Sequence, residues 1–149
     1  MLAREIAEEY PIVDVDSDAL EAARIMAERG LPGIVVCHGS PPRPVAVLPG
    51  ARVIGAIIPR YVQDDPSLAR VLDERDAETS LRQLRGRTVR DLLDEHREEI
   101  PVADGGDQVM EIAALMARLR TPLVAVVEGE ELLGVITVAR LLELILPPA

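Results

Sequence analysis

Apolar side chains recur with helical spacing in two segments of the chain, residues 18–29 and 107–119. In each segment they follow the i, i+3, i+4, i+7 pattern that places one face of an amphipathic helix against a core. The pattern therefore predicts two helices, with Ser17 or Asp18 as the N-cap of the first and Asp107 as the N-cap of the second. The apolar positions are Ala19, Ala22, Ala23 and Met26 in the first helix and Val109, Ile112, Ala113, Met116 and Leu119 in the second.

Runs rich in β-branched residues follow each predicted helix and indicate two pairs of strands. The first pair spans residues 33–38 and 45–48, and the second spans residues 122–128 and 132–136. A segment rich in glycine and proline separates the strands of the first pair and is predicted to be a loop. The connection in the second pair is shorter and contains a glycine, but its sequence does not fix a turn type.

The two halves of this pattern are copies of one repeat. Residues 21–27 read EAARIMA and residues 111–117 read EIAALMA, so four of the seven positions are identical. A proline precedes the next predicted strand in both copies, at Pro32 and Pro122, with the same separation of 90 residues. A repeat of this size predicts two similar units, neither of which buries its apolar surface without the other.

The repeat changes the assignment of the segment that follows each pair of strands. Residues 53–58 alone resemble a buried strand, but their counterpart, residues 141–146, contains Glu143 and has the spacing of a short helix. We therefore predict a short closing helix in both copies, with Gly55 as a weak point of the first. When these two segments are aligned, Arg52 in the first copy corresponds to Arg140 in the second. The offset between the copies is slightly smaller here than at the preceding helices.

The chain is thereby divided into three parts. The first repeat occupies residues 1–63, a charged helical linker occupies residues 64–87, and the second repeat occupies residues 88–149. Thr88 is predicted to cap the element that opens the second repeat.

The acidic composition narrows the classes of partner. The formal net charge of −10 at pH 7 argues against binding to nucleic acid and against docking on anionic lipid. One basic cluster is present, and we interpret it as a solvated helix face or linker. All 16 basic residues are arginine, which we interpret as the codon bias of a GC-rich bacterial genome. The cluster consists of Arg82, Arg85, Arg87 and Arg90.

Other features of the sequence favour a cytoplasmic protein. The first residues are charged, so no signal peptide is visible, and no apolar stretch is long enough for insertion into a membrane. Cys37 is the only cysteine, which excludes an intramolecular disulfide and predicts a small buried apolar residue. His38 and His96 lie in unrelated elements, and no metal site is predicted from them. The acidic residues Asp14, Asp16, Asp104 and Asp107 are expected to be helix caps and loop residues.

The order and spacing of these motifs resemble the cystathionine-β-synthase (CBS) domain family, arranged as a tandem pair. The second repeat carries a lead-in motif at residues 88–93 (TVRDLL), the helix motif at residues 111–116 (EIAALM) and a strand-to-helix corner at residues 134–137 (GVIT). The first repeat matches at residues 21–26 (EAARIM) and more loosely at residues 47–54. Each motif is weak alone, but their duplication in the same order covers nearly the whole chain.

The resemblance implies an α+β fold in which two β-α-β-β-α repeats pack through their sheets with pseudo-twofold symmetry, a unit known as a Bateman module. It also implies a homodimer formed through the flanking helices, and a regulatory role rather than an enzymatic one. Family members often bind adenosine-containing ligands in clefts between the repeats. Because this sequence has no attached catalytic or membrane domain, the effector is expected to be a separate enzyme or membrane transporter.

The resemblance also points to ligand-binding positions. In the family, a hydroxyl at the strand-to-helix corner contacts phosphate, and a carboxylate three residues later contacts ribose. Thr137 keeps the hydroxyl, but Arg140 replaces the carboxylate, and the first repeat has Pro49 and Arg52 at these positions. Arginine accepts no hydrogen bond, so the usual ribose contact is missing from both repeats. Weaker candidates precede the two matching prolines, namely Leu31 and Thr121.

Two interpretations of Arg52 and Arg140 stay open: they contact a phosphate or another anion, or they pair with surface carboxylates. Two functions stay open with them. The leading hypothesis is a regulatory module that senses an adenine nucleotide or other phosphate-bearing ligand, and the alternative is a ligand-free interaction adaptor. An enzyme ranks third. Because Thr137 supplies a hydroxyl and Pro49 does not, we expect ligand binding to depend more on Arg140 than on Arg52.

Overall fold

The computed structural model describes residues 1–93 and 99–149, so His96 lies outside the described residues. Two units with the order β-α-β-β-α follow one another, as predicted. After a short helix α1 (Ala3–Ile6), the first unit comprises β1 (Ile12–Asp14), α2 (Ala19–Arg29), β2 (Gly33–His38), β3 (Arg43–Pro49) and α3 (Gly50–Ile57). Helix α4 (Arg60–Asp64) ends the first repeat, and the linker contains a 3₁₀ helix (Pro66–Val71) and α5 (Glu74–Arg82). After α6 (Val89–Leu92), the second unit comprises β4 (Val102–Asp104), α7 (Val109–Leu119), β5 (Leu123–Glu128), β6 (Glu131–Thr137) and α8 (Val138–Ile145).

The predicted strands and closing helices are confirmed, with bounds that differ by a few residues at most. Asp18 caps α2, because its Oδ1 accepts a hydrogen bond from the Leu20 N–H at 2.8 Å. The prediction of Asp107 as the second N-cap is wrong, since Gln108 occupies that position. The Asp107 carboxylate instead accepts the Asp104 N–H at 3.0 Å and closes the turn before the helix.

Each unit contains a three-stranded sheet with the same topology. The first strand is parallel to the second, and the second is antiparallel to the third. The central strands are buried on both faces, which explains their nearly continuous apolar sequences. On β2, Ile34 and Val36 contact the helices of their own unit, whereas Val35 and Cys37 contact the other unit.

The two sheets pack against each other, as the repeat predicts. Their shared core contains Val35 and Cys37 from the first unit and Leu123, Ala125 and Val135 from the second, all of them buried. The helices of each unit cover the opposite face of its own sheet. The inter-unit core is therefore formed by side chains from both repeats.

The short helices that precede each unit are exchanged between the units. Helix α1 precedes the first unit, but its Ala3 and Ile6 are buried in the core of the second. Helix α6 precedes the second unit, but its Val89 and Leu92 are buried in the core of the first. The division into residues 1–63, 64–87 and 88–149 thus describes the order of the chain, while the lead-in segments cross between the units.

Helix α4 supports the weak closing helix of the first unit. The side-chain amide of Gln63 donates hydrogen bonds to the carbonyl oxygens of Gly55 at 2.9 Å and Ile58 at 2.8 Å. These bonds satisfy carbonyls at the end of α3 that lack partners within the helix.

Among the described residues, no helix combines the length and apolar character needed to cross a membrane.

Candidate functional site

A cleft of about 480 Å³ lies between the two units. Its walls come from the end of β3, the start of α3, the segment before β4 and the end of α7. The described lining residues are Val47, Pro49, Arg52, Leu93, Glu99, Pro101, Arg118, Leu119, Arg120 and Thr121. The cleft therefore combines apolar walls with a group of charged side chains.

Three arginines line this cleft, and the carboxylate of Glu99 is the only one among its described lining residues. Arg52 lies in the first turn of α3 and also borders an adjoining cavity of about 700 Å³. Arg118 lies in the last turn of α7, and Arg120 follows that helix. The described part of the cleft therefore carries an excess of positive charge, which favours an anion.

Glu99 and Arg118 form a two-point ion pair in the cleft. The Arg118 Nη2 donates to Glu99 Oε1 at 3.0 Å, and the Nη1 contacts the second carboxylate oxygen. This pairing lowers the pKa of the Glu99 carboxyl and raises the pKa of the Arg118 guanidinium, against a smaller opposing effect of burial. Glu99 therefore stays ionised at neutral pH and competes with any bound anion for Arg118.

Arg120 has a left-handed backbone conformation, with φ 51° and ψ 44°. It is the only residue other than glycine with positive φ among those that the structure describes. Its counterpart in the first repeat is Gly30, which ends α2 with φ 63° and ψ 41°. An L-residue pays roughly 1 kcal/mol for this conformation, whereas glycine adopts it without a steric cost. The second repeat thus places a guanidinium beside the cleft at a position better suited to glycine.

Thr121 lies next to Arg120 and is half-buried. Its hydroxyl donates a hydrogen bond to the Leu123 carbonyl at 2.8 Å, so its proton is already committed within the protein. The oxygen keeps acceptor capacity, since a hydroxyl has two lone pairs. The structure therefore brings two of the sequence candidates, Arg52 and Thr121, into one cleft.

Thr137 and Arg140 form a second corner, at the start of α8. The Thr137 Oγ1 accepts the Arg140 N–H at 3.1 Å and caps the helix. The Arg140 Nε lies 3.1 Å from Glu8 Oε1, and its Nη1 lies 3.6 Å from Glu143 Oε2. The Nε is buried, but its N–H is not aligned for a hydrogen bond, so the contact with Glu8 is an ion pair without one. Arg140 is therefore paired with carboxylates of its own chain.

Leu31, the remaining sequence candidate, lines a separate apolar groove with Ile57 and Leu81, between α2, α3 and the end of α5. Arg118 and Arg120 were missed by the sequence analysis. The alignment of the repeats contained a signal for Arg120, because Gly30 and Arg120 are separated by the same 90 residues as the matching helices.

Asp14, Asp16 and His38 lie together at one end of the first sheet, with ligand-type atoms within 4.8 Å of one another. All three side chains are exposed. Asp14 accepts the Asp16 N–H at 2.8 Å, which is the expected turn contact. Asp16 also accepts from the Arg90 Nε and Nη2, at 3.2 and 3.1 Å, so part of this acidic charge is neutralised within the protein.

Comparisons with known proteins identify the family. The CBS domain model matches residues 89–147. The crystal structure of a CBS domain-containing protein of unknown function from Kribbella flavida is 50% identical, with a TM-score of 0.83, and the alignment covers 97% of this chain and 98% of that one. No curated protein matches significantly. The chain belongs to the CBS-domain family and is a tandem CBS pair.

Two more distant structures of the same fold contain adenosine compounds. CBSX2 in complex with AMP is 14% identical, with a TM-score of 0.66, covering 96% of this chain and 94% of that one. The CBS domain pair of protein MJ0100, in complex with 5′-methylthioadenosine and S-adenosyl-L-methionine, is also 14% identical, with a TM-score of 0.63 and coverage of 97% and 94%. At this identity the likeness establishes the fold alone.

Proposed function

We propose that this CBS pair is a regulatory module that binds a phosphate-bearing ligand of nucleotide type in the cleft lined by Arg52, Arg118 and Arg120. The observation that carries the proposal is the presence of these three arginines in the lining of one cleft between the repeats. Arginine recognises phosphate oxygens through paired N–H donors in a planar fork, which suits it to this role.

The size and walls of the cleft support a small organic anion over a bare ion. A volume of about 480 Å³ falls within the range typical of sites for small molecules. Val47, Leu93 and Leu119 offer apolar surface for a base or sugar, and the arginines offer donors for a phosphate. The AMP complex of CBSX2 supports a nucleotide, because it has the same fold.

The backbone of Arg120 gives further support. A residue held in an unfavourable conformation is often retained for function, and here a glycine at the matched position avoids the cost. We infer that the Arg120 side chain contributes to the anion site.

The ligand is proposed to act by linking the two repeats, since Arg52 comes from one and Arg118 from the other. A ligand held by both stabilises one arrangement of the cleft over others and passes the signal to a separate effector protein. An adaptor without a ligand is the competing function. It is favoured by the replacement of the usual ribose-binding carboxylates by Arg52 and Arg140.

We also propose a homodimer formed through the helices of the second repeat. Five apolar side chains are exposed on α7, on α8 and directly after α8, and exposed apolar surface of this kind is typical of an interface. On the first repeat, α5 lies against α3 and covers part of the corresponding face. Light scattering at micromolar concentration is expected to give twice the chain mass, and a monomer mass would contradict the dimer. The exposed side chains are Met110, Val138, Leu142, Ile145 and Leu146.

Isothermal titration with AMP, ADP, ATP and inorganic phosphate tests the ligand proposal. We expect one of the nucleotides to bind, and Arg118→Ala to weaken it about ten- to a hundredfold, as for the loss of a charged hydrogen bond. Arg75→Ala is the matched control, because it makes the same change of charge on an exposed linker helix outside the described cleft. If no probe binds or raises the melting temperature, the adaptor becomes the better explanation.

A further inference from the structure

The cleft between the repeats adjoins a second cavity, of about 700 Å³, that runs along α3 to α4. Pro49 and Arg52 line both spaces, so the two meet at the start of α3. A ligand held at Arg52 therefore has room to extend away from the inter-repeat cleft. The other described residues that line the second cavity are Ala51, Gly55, Ile58, Arg60 and Gln63.

The charged side chains that line this second cavity are both positive. Arg52 belongs to the first turn of α3, Arg60 begins α4, and the described lining includes no carboxylate. Arg60 Nε lies 3.8 Å from Asp64 Oδ1, and the two side chains are 88% and 72% exposed. A long ion pair between exposed side chains is weak, so Arg60 is available to a more highly charged anion.

The matching position in the second repeat carries a negative charge. Gly55 follows Arg52 by three residues, as Glu143 follows Arg140. Glu143 Oε2 lies 3.6 Å from Arg140 Nη1, so this arginine has a carboxylate beside it on its own helix. Gly55 supplies neither side chain nor charge, and the closest neighbour of a Cβ built there, outside the α3 backbone, is Gln63 Oε1 at 3.9 Å. Space without negative charge beside the arginine therefore distinguishes the first repeat.

Helix α4 is held against α3 by Gln63 and Val62. The Gln63 side-chain amide donates to the carbonyl oxygens of Gly55 and Ile58, and Val62 is buried. Arg60 lies on this anchored helix, one turn before Gln63. Its guanidinium is therefore carried by an element whose position beside the cavity is fixed by packing and hydrogen bonds.

We propose that the ligand carries a chain of two or three phosphates, and that Arg60 selects it over a monophosphate. The inference rests on the proposed function, because it takes the nucleotide to lie in the cleft at Arg52. The terminal phosphates extend past Gly55 into the second cavity, where the Arg60 guanidinium donates to their oxygens. Arg60 is thus a specificity residue, and the inter-repeat cleft alone suffices for a monophosphate.

Titration calorimetry with AMP, ADP and ATP tests the selectivity, with EDTA present so that no divalent cation covers the phosphates. We expect the wild type to bind ATP about fivefold more tightly than AMP, as for one exposed charge pair. Arg60→Ala is expected to remove this preference while leaving the affinity for AMP within about twofold. Arg75→Ala is the matched control, since it makes the same change of charge outside the described lining of both cavities.

Asp64→Asn tests whether the charge of Arg60 or the stability of α4 is responsible. It removes the same ion pair as Arg60→Ala but keeps the guanidinium. We expect the preference for ATP to persist or increase, because Arg60 loses a competing carboxylate. A loss of the preference equal to that in Arg60→Ala would contradict the proposal.

Gly55→Glu approaches the same question from the other wall of the cavity. It copies Glu143 of the second repeat, and glutamate favours a helix more than glycine does, so the fold is expected to be kept. We expect Gly55→Glu to lower the affinity for ATP more than Gly55→Gln, which adds similar volume without charge. Equal effects of the two variants would show that no phosphate lies near this position.

The outcomes separate the selectivity from the cleft itself. If the wild type binds AMP and ATP equally, or Arg60→Ala lowers both affinities alike, the role of Arg60 is refuted while the proposed cleft stands. If the wild type binds none of the three nucleotides, the proposed function fails and the selectivity fails with it.

Discussion

Arg52 and Arg140 occupy the same position in the two repeats, three residues after a strand-to-helix corner, yet their surroundings differ. Arg52 lines a cleft together with Arg118 and Arg120, and Arg140 lies outside the described lining of that cleft, beside Glu8 and Glu143. The difference arises from what packs beside each corner, namely the N-terminal segment beside Arg140 and the end of α7 beside Arg52. The same residue in the same local structure therefore faces different surroundings in the two repeats, and only Arg52 is proposed to contribute to the ligand cleft.

The largest expected effect tests this contrast directly. We expect Arg52→Ala to weaken nucleotide binding about ten- to a hundredfold, through the loss of a charge-assisted contact. Arg140→Ala is expected to leave that affinity within about twofold, because Arg140 is not among the described residues that line this cleft. Titration calorimetry of both variants with the nucleotide compares their affinities. This order reverses the one expected from Thr137 and Pro49, and a stronger effect of Arg140→Ala would restore the original expectation.

A pH titration compares the central strands, where Cys37 of the first repeat corresponds to Val127 of the second. Burial and, secondarily, the charge of Asp14 raise the pKa of the Cys37 thiol from 9.0 to about 11. In the unfolded chain the thiol ionises near its ordinary value, so stability from this site is full below pH 9 and falls as the pH rises toward 11. Two units of pKa correspond to a loss of about 2.7 kcal/mol.

The measurement is urea unfolding of wild type and Cys37→Val at pH 8 and pH 10.5. Cys37→Val makes the first repeat resemble the second and removes the ionisable group, while the other titrating residues are common to both proteins. We expect the wild type to lose more stability between the two pH values than the variant. Equal losses would mean that Cys37 ionises in the folded protein as readily as in the unfolded chain.

A smaller effect is expected where the N-terminal segment approaches the second sheet. Ala46 in the first repeat corresponds to Gly134 in the second, so Gly134→Ala makes the two sheets alike. The added Cβ conflicts with the Glu8 backbone and is expected to cost about 1–3 kcal/mol, in line with overpacking of a buried site. Hydrogen exchange is expected to accelerate first at Glu8 and Val135. Unchanged protection of these two amides would show that the contact is not tight.

The smallest effect concerns the two residues that end the long helices of the repeats. Gly30→Arg copies the second repeat into the first and is expected to destabilise the protein by about 1 kcal/mol, because no atom crowds its Cβ and only the left-handed backbone is unfavourable. Arg120→Gly is expected to stabilise the protein by a similar amount while weakening nucleotide binding.

Arg120→Asn separates these two effects, because asparagine tolerates the left-handed backbone but carries no charge. Arg120→Asn is expected to lower the affinity for the nucleotide as much as Arg120→Gly does. Thermal melts without ligand measure the change in stability, and titrations with the nucleotide measure the change in affinity. If Arg120→Gly binds the nucleotide as well as wild type, Arg120 does not belong to the site.

Local sequence determined much of the fold. The spacing of Ala22 and Met26, and of Ile112 and Met116, specified the two long helices, because apolar periodicity reflects which face is buried. The duplication of EAARIMA and EIAALMA established two similar units and corrected the assignment of residues 53–58, which look like a strand in isolation. Sequence also identified the corner positions of Arg52 and Arg140, since they follow motifs of fixed spacing.

Only the tertiary structure decided what those positions contact. Glu8 and Arg140 are far apart in the chain, and their pairing depends on the exchange of the lead-in segments, in which α1 crosses to the second repeat. Arg118 and Arg120 join Arg52 in one cleft because the two sheets pack face to face. Sequence periodicity records which side of an element is buried, but it carries no information about which distant surface covers that side. The chemical environment of each arginine was therefore set by long-range packing, while its place in the helix was set by its neighbours along the chain.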